Sequence, residues 1–444
     1  MNVTKELSCF VVDTGFKDLP KEVTEQSKVC FLDWFGAALG GSLEPLSSIL
    51  QELIYELGGR EQATVLGKGK KTSLLNAALI NGAMSHALDY DDTHADTLIH
   101  PSAPLIPAIL AVAEYRHLSG KDMISAFILG FEAETRIGLA MGPSHYTMGW
   151  HATSTFGRFG AAAGAGKLMG LTKEEMACAF GIAATQSGGL RQVFGSMCKP
   201  LHPGKAAMDG ILSVLLAKKG FTAPKNILEG ASGFSEVFSK DYDLSIVTSG
   251  LGETYQVLND TFKPHASCLL THPTIDALIE LKNKHNLSTE EIAGIDCEVT
   301  PLCLDAAGKP EPQTPLDAKF SVYFCAASAV QAGKAGQHMF TNDRVLDARI
   351  IDLQKKVTAT ANPKFKETEA KVSIRTYDDG KYESHITAPR GDPRNPLSRR
   401  ELENKFTGLA LKVLPGDKVS RIIDRIHTLD KMDDVNELIE LCIV

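Results

Sequence analysis

No two cysteines in this chain stand in a CxxC spacing, and the nine present (Cys9, Cys30, Cys178, Cys198, Cys268, Cys297, Cys303, Cys325 and Cys442) are an odd, scattered set. That pattern excludes a zinc ribbon and argues against a disulfide framework, so reduced thiols in a cytoplasmic protein are expected. No apolar run approaches the roughly 18 residues that a membrane span requires. The opening MNVTKELSCFVVDTGFKDLP carries Lys5, Asp13 and Lys17 and lacks the basic-then-apolar layout of a secretory signal. No segment is dense in Lys or Arg and the formal net charge is -8, which argues against nucleic acid as a partner. Internal repeats and low-complexity tracts are absent. Two catalytic motifs fail as well. GAAAGAGKLMG has Ala161 where a phosphate loop needs its first glycine and Leu168 where it needs Ser or Thr. No GxSxG occurs, so a nucleophile elbow is missing.

What is present is a long, core-rich chain. Its 444 residues exceed the roughly 250 to 300 at which a single core stops growing, and 43% hydrophobic content can fill two. From Val23 to about Gly233 apolar residues recur at helical spacing; in TSLLNAALINGAMSHAL the stripe is Leu75, Ala78, Leu79, Ala83 and Ala87. Thr172 with Glu175 has capping-box spacing, and the small residues of GRFGAAAGAG suit helices that approach closely. After about residue 265 the character changes. GIDCEVT alternates like a strand, and KVSIRTYDDGKYESHIT reads as two strands joined at Asp379-Gly380. Beyond PRGDPRNP, Ser398 and Glu401 again have capping-box spacing and helical periodicity returns. The expectation is a mainly α protein with an α+β part. Residues 1–265 and 396–444 would form a helical domain, and 266–395 a smaller α+β domain.

Three polar clusters carry candidate chemistry. HALDYDDTHADTLIHPSAP packs three histidines and four aspartates into nineteen positions. His86 and Asp89, three apart at a helix end, can share a face. Thr93 and His100 follow. The stretch can be read as an acid/base site, a metal site or a solvated loop, but its spacing matches no strong metal signature, so no metal is expected. SHYTMGWHATSTFG brings His145 and His151; His151 follows Gly149 and Trp150 at a loop-to-helix transition. SMCKPLHPGKAAMDG holds Lys199, His202 and Lys205 before an apolar helical run whose first turn suits Pro203 and could help hold an anion.

Taken together, DYDDT, HPSAPLIPAI, GWHATSTFG, KPLHPGKAA, FKPHASCLLTHP and AKFS resemble the MmgE/PrpD superfamily of 2-methylcitrate dehydratases, cis-aconitate decarboxylases and iminodisuccinate epimerases. The motifs occur in family order over nearly the whole chain. The resemblance implies a helical domain built from both chain ends, a lid domain, a homodimer, and a site between the domains that works without metal or other cofactor. Matched position by position, it implies Asp89, Thr93, His100 and His151 as polar site residues and Lys199 and Lys263 as basic ones. Cys268 falls where some members place histidine. The sequence departs from the family where AKFSVYFC puts Phe324 in the place of a tyrosine, and Tyr323, one residue earlier, is taken as the substrate-binding hydroxyl in its stead. On a helix that shift turns the side chain by about 100°. The expected substrate is a small di- or tricarboxylate. The expected reaction is dehydration of a 2-methylcitrate-like hydroxy acid, with decarboxylation of cis-aconitate, epimerisation, and a metal-dependent or non-catalytic carboxylate-binding protein as alternatives. His100 and His151 suit proton transfer, Lys199 and Lys263 suit stabilising charge that develops beside a carboxylate, and Asp89 could orient a histidine or act as base.

Overall fold

A computed structural model describes residues 2–333 and 335–444. The protein is mainly α-helical with a smaller α+β part. The helices that carry the argument are α1 (Lys21–Gly41), α2 (Leu74–His86), α3 (Ser102–Arg116), α4 (Gly120–Ala140), α5 (Ala152–Met169) and α6 (Cys198–Lys218). Local chemistry starts several helices. Ser73 caps α2 by accepting the Asn76 N–H, and Ser119 with Asp122 forms a capping box on α4. The expected boxes at Thr172/Glu175 and Ser398/Glu401 are both formed.

Small residues set how closely these helices approach. A Cβ on Gly82 of α2 would lie 2.7 Å from the Cα of Gly204 on α6, so the two backbones cross in contact there. On α5, a Cβ at Gly160 would come within 2.6 Å of the Glu134 carboxyl carbon on α4. GRFGAAAGAG is thus a packing surface, buried along its whole length.

One large apolar cluster draws on residues from Val3 to Phe262 and again from Leu402 to Cys442, and a second runs from Ala266 to Ile374. The second is built on β3 (Ile292–Val299), β4 (Val357–Ala361), β5 (Ala370–Thr376) and β6 (Lys381–Ile386), after two short strands, β1 (Thr93–His94) and β2 (Asp260–Thr261), that pair with each other. The order is β4-β3-β5-β6, parallel between β3 and β4 and antiparallel elsewhere. The β5–β6 hairpin turns through Asp379, whose φ of 65° is the left-handed backbone that Asp-Gly turns supply. Helices α7 (His272–His285) and α8 (Val322–Ala332) bury their apolar side chains in the same second cluster. No helix among the described residues is long and apolar enough to cross a membrane.

Candidate active site

The His- and Asp-rich stretch is folded inward rather than solvated: of its charged residues only Asp96 is exposed. Helix α2 ends at His86 and the chain turns through Asp89 at φ 49°, a left-handed conformation that aspartate tolerates better than most residues. This turn aims both side chains at α6. There the Lys199 ammonium lies 2.7 Å from His86 Nε2 and 2.7 Å from Asp89 Oδ1. Lys263, just beyond β2, places its fully buried ammonium 3.3 Å from Asp89 Oδ1 and donates to the Asp89 carbonyl at 3.1 Å. Pairing of β1 with β2 holds Thr93 and Lys263 on adjoining segments.

The geometry determines protonation. Lys199 has only hydrogens to offer, so His86 Nε2 accepts and His86 Nδ1–H donates to Asp91 Oδ2 at 2.8 Å. Asp91 also faces His100 Nδ1 at 3.2 Å, so one carboxylate orients two imidazoles. Burial favours the neutral form of both rings more than Asp91 favours the charged form, and the His100 pKa falls to about 3. His151 caps α5, its N–H donating to the Gly189 carbonyl at 3.0 Å, and its ring stacks on His86 with centroids 6.0 Å apart. Burial, then the cationic Lys199, holds it well below the usual histidine range. Burial alone would raise Asp89, but Lys199 and Lys263 more than offset it and keep the carboxylate well below its usual range. Its Oδ2 is buried and accepts no hydrogen bond among the described residues.

Thr93, His100, His151, Lys199, Lys263 and Cys268 all line one small cavity of about 30 Å³, bounded on its apolar side by Leu98, Phe194, Leu269, Leu270 and Phe320. Asp89 lies beneath its two lysines. Lys199 also sits 5.4 Å and 5.2 Å from the ring centroids of Phe194 and Phe320, so its charge is held between its polar partners and two aromatic faces. Burial raises the Cys268 thiol, which leaves it a neutral wall.

Tyr323 is not brought to this cluster. It lines a separate surface cavity with Pro310, Val345 and Leu346, and Phe324 is buried in the second apolar cluster, 5.7 Å from the Phe340 ring. The reason is where α8 begins. Ser321 caps it, so Lys319 and Phe320 precede the helix and face the site, while 323 and 324 rotate away. His94 and His145 are also turned elsewhere, His94 to Thr97 at 3.0 Å and His145 to Thr155 and the Phe238 carbonyl at 2.8 and 2.9 Å. Lys205 is exposed and bonds Asp209.

Sequence reasoning did not single out Asp91, although DYDDT contains it, or Lys319, although AKFS does. The Lys319 ammonium donates to the carbonyls of Leu88 and Ala266, at 2.6 and 2.9 Å, and burial lowers its pKa to about 8 against the pull of Asp89. His86, Asp89, Asp91 and His100 place ligand atoms within 4.8 Å of one another, a set that could hold a metal ion. The Lys199 ammonium, however, already occupies the position between His86 and Asp89 that a cation would take. A larger cavity, about 610 Å³, abuts the site at Leu98 and Tyr146, but Asp96, Asp305 and Glu367 line it, a poor fit to an anion.

A buried histidine and lysine cluster, neutralised in part by two carboxylates and bounded by aromatic rings, is an arrangement suited to acid/base work on an anion. In comparison with known sequences, the MmgE/PrpD N-terminal domain matches residues 5–247 and the MmgE/PrpD C-terminal domain residues 265–431. The chain belongs to the MmgE/PrpD family. It is 29% identical to cis-aconitate decarboxylase of Aspergillus terreus, over 99% of this chain and 95% of that one. It is 28% identical to the Homo sapiens cis-aconitate decarboxylase, over 99% and 94%, and 27% identical to that of Mus musculus, over 99% and 93%. These relatives are lyases.

Proposed function

We propose that the protein is a lyase that decarboxylates an unsaturated tricarboxylate of the cis-aconitate type, in place of the dehydration ranked first from the sequence. The observation that carries this reading is the convergence of Lys199, Lys263, His100 and His151 on one small cavity in a chain alike over its full length to cis-aconitate decarboxylases. The cavity holds one or two water molecules as it stands, so substrate enters through an opening of the α+β part (266–395) away from the helical part (1–265 and 396–444). In this reading those two parts are the protein's domains and the molecule is a homodimer in the cytoplasm.

Substrate carboxylates take up the ammonium groups of Lys199 and Lys263, whose charge Asp89 alone does not balance. When one carboxylate leaves as carbon dioxide, its bonding electron pair shifts into the neighbouring double bond and a carbon takes a proton. The lysines, both buried, stabilise the negative charge that develops, where the low dielectric of the interior strengthens the interaction. His151 Nε2 supplies the proton, and Asp91 holds His100 and His86 in register beside it. Thr93 and Cys268 shape the wall.

The test is purified protein offered cis-aconitate, 2-methylcitrate and an amino-dicarboxylate in parallel, with products read by mass spectrometry. Itaconate-type product and released carbon dioxide from cis-aconitate are expected. Turnover of 2-methylcitrate alone would restore the dehydratase reading.

A further inference from the structure

His202 lies on α6 three residues after Lys199, and its Nδ1 sits 2.9 Å from Nδ1 of His151. Two imidazole nitrogens at that distance share a proton, one as donor and one as acceptor, so each ring fixes the tautomer of the other. Their Nε2 atoms then point away from the contact. His151 lines the small cavity, whereas His202 is half-buried and outside that lining, so the pair runs from the site towards solvent. Gly189 is packed against both: its carbonyl accepts the His151 N–H, and a Cβ at this residue, whose φ is 127°, would lie 2.5 Å from Ser154 and 3.3 Å from His202 Cε1. The sequence placed His202 in a possible anion cradle; no lysine or anion claims its Nδ1.

Decarboxylation consumes one proton per turnover, because carbon dioxide leaves and a proton takes its share of the electron pair. His151 is held neutral by burial and by Lys199, His202, His86 and His100. A neutral imidazole that gives up its only proton becomes an imidazolate unless a second proton arrives at its other nitrogen. We propose that His202 is the positioning residue that fixes the His151 tautomer and passes it that proton. The proposal rests on the reading of His151 as the donor to carbon. In the resting pair His202 Nδ1–H donates to His151 Nδ1, and His151 Nε2–H faces the cavity. As the Nε2 proton goes to carbon, the Nδ1 proton of His202 crosses to His151, and His202 Nε2 takes a proton from water. Both rings end neutral with their tautomers exchanged. Water entering after product leaves returns them: it protonates His151 Nε2, the Nδ1 proton crosses back to His202, and His202 Nε2 gives its proton to water.

The test compares wild type with His202→Asn, whose amide can hold the contact but cannot pass a proton, and His202→Phe, which holds no contact. For His202→Asn, KM within about two-fold and kcat lower by about 100-fold or more are expected. Its kcat should rise as pH falls, since only a fully protonated His151 can then act, whereas the wild-type profile stays flatter near neutrality. The charged and titratable groups around the pair are His86 on α2, His100 before α3, Arg158 on α5 with its Asp209 partner, and Lys199 on α6, and none of them is altered. Nitrogen-15 spectra of histidine-labelled protein read the His151 tautomer without substrate: fixed in wild type and mixed in His202→Phe supports the proposal. Decarboxylation by His202→Asn with wild-type kcat and pH profile would overturn it and leave the function standing. If wild type fails to decarboxylate, the function reading fails, and a His151 tautomer unchanged by His202→Phe would sink the pairing too.

Discussion

Lys199→Met removes one ammonium and keeps the length of the side chain, and its consequences follow from what that ammonium touches. Asp89 Oδ1 loses its closer cation at 2.7 Å and retains Lys263 at 3.3 Å, while His86 Nε2 loses its donor. Breaking a buried pair from one side costs about 3 to 5 kcal/mol, because the other charge stays in the interior unpaired. Lys263 still neutralises part of Asp89, which places the expected loss near 3 kcal/mol, at the low end of that range. The acid limb of stability moves as well. The Asp89 pKa is depressed in the folded state, so its contribution is present above the unfolded carboxylate range and lost as pH falls through the folded value. With Lys199 gone the folded pKa rises, and acid unfolding begins at higher pH. Adding Asp89→Asn leaves the buried Lys263 ammonium without its carboxylate, so the double variant should be less stable still and show no turnover, because the stabilising cation is still missing. Urea unfolding followed by circular dichroism, paired with kcat, reads both. A single variant that costs less than 1 kcal/mol, or a double variant more stable than it, would refute the ion-pair geometry.

Three other outcomes follow from particular contacts. Tyr323→Phe should leave kinetics unchanged, and Phe324→Tyr should cost about 1 to 3 kcal/mol in stability by burying a hydroxyl without a partner, read by denaturant titration with kcat alongside; a kinetic effect without a stability loss would return the α8 start to the site. Exhaustive treatment with a chelator should leave turnover intact, since Lys199 fills the position between His86 and Asp89; activity lost to chelation and restored by one divalent metal would contradict this. Buried Asp92 bonds Ser102 and lies beside Asp260 and Asp33, and burial raises its pKa to about 7. A raised folded pKa gives stability that is full below the unfolded value and lost as pH rises through about 7. Asp92→Asn should therefore gain melting temperature relative to wild type from pH 5 to pH 8, and a constant difference would refute the buried neutral carboxyl.

Local chemistry was legible wherever neighbours in the chain decide it. The Thr172 and Ser398 capping boxes, the Asp379-Gly380 hairpin and the close-packing glycines of α5 need no distant partner to be read. The lysines and histidines of the site were legible as motifs. Their partnerships were not: Lys199 to Asp89 and His151 to His202 form only when α2, α5 and α6 meet, and Asp91 meets His100 only once the segment between α2 and α3 folds back on itself. Tyr323 was misplaced for a related reason. A one-residue difference in where a helix begins redirects every side chain after it, and the Ser321 cap is what sends Lys319 and Phe320, rather than Tyr323, towards the cavity.

The most direct measurement is a crystal structure of the protein with a bound, unreactive tricarboxylate. The account predicts the ligand between Lys199, Lys263 and His151, its carboxylate oxygens within hydrogen-bond distance of both ammonium groups and of His151 Nε2, with the α+β part displaced to admit it. A tricarboxylate seated instead in the larger cavity beside Asp96, Asp305 and Glu367, with Lys199 still bound to His86 and Asp89 and the small cavity unchanged, would contradict it.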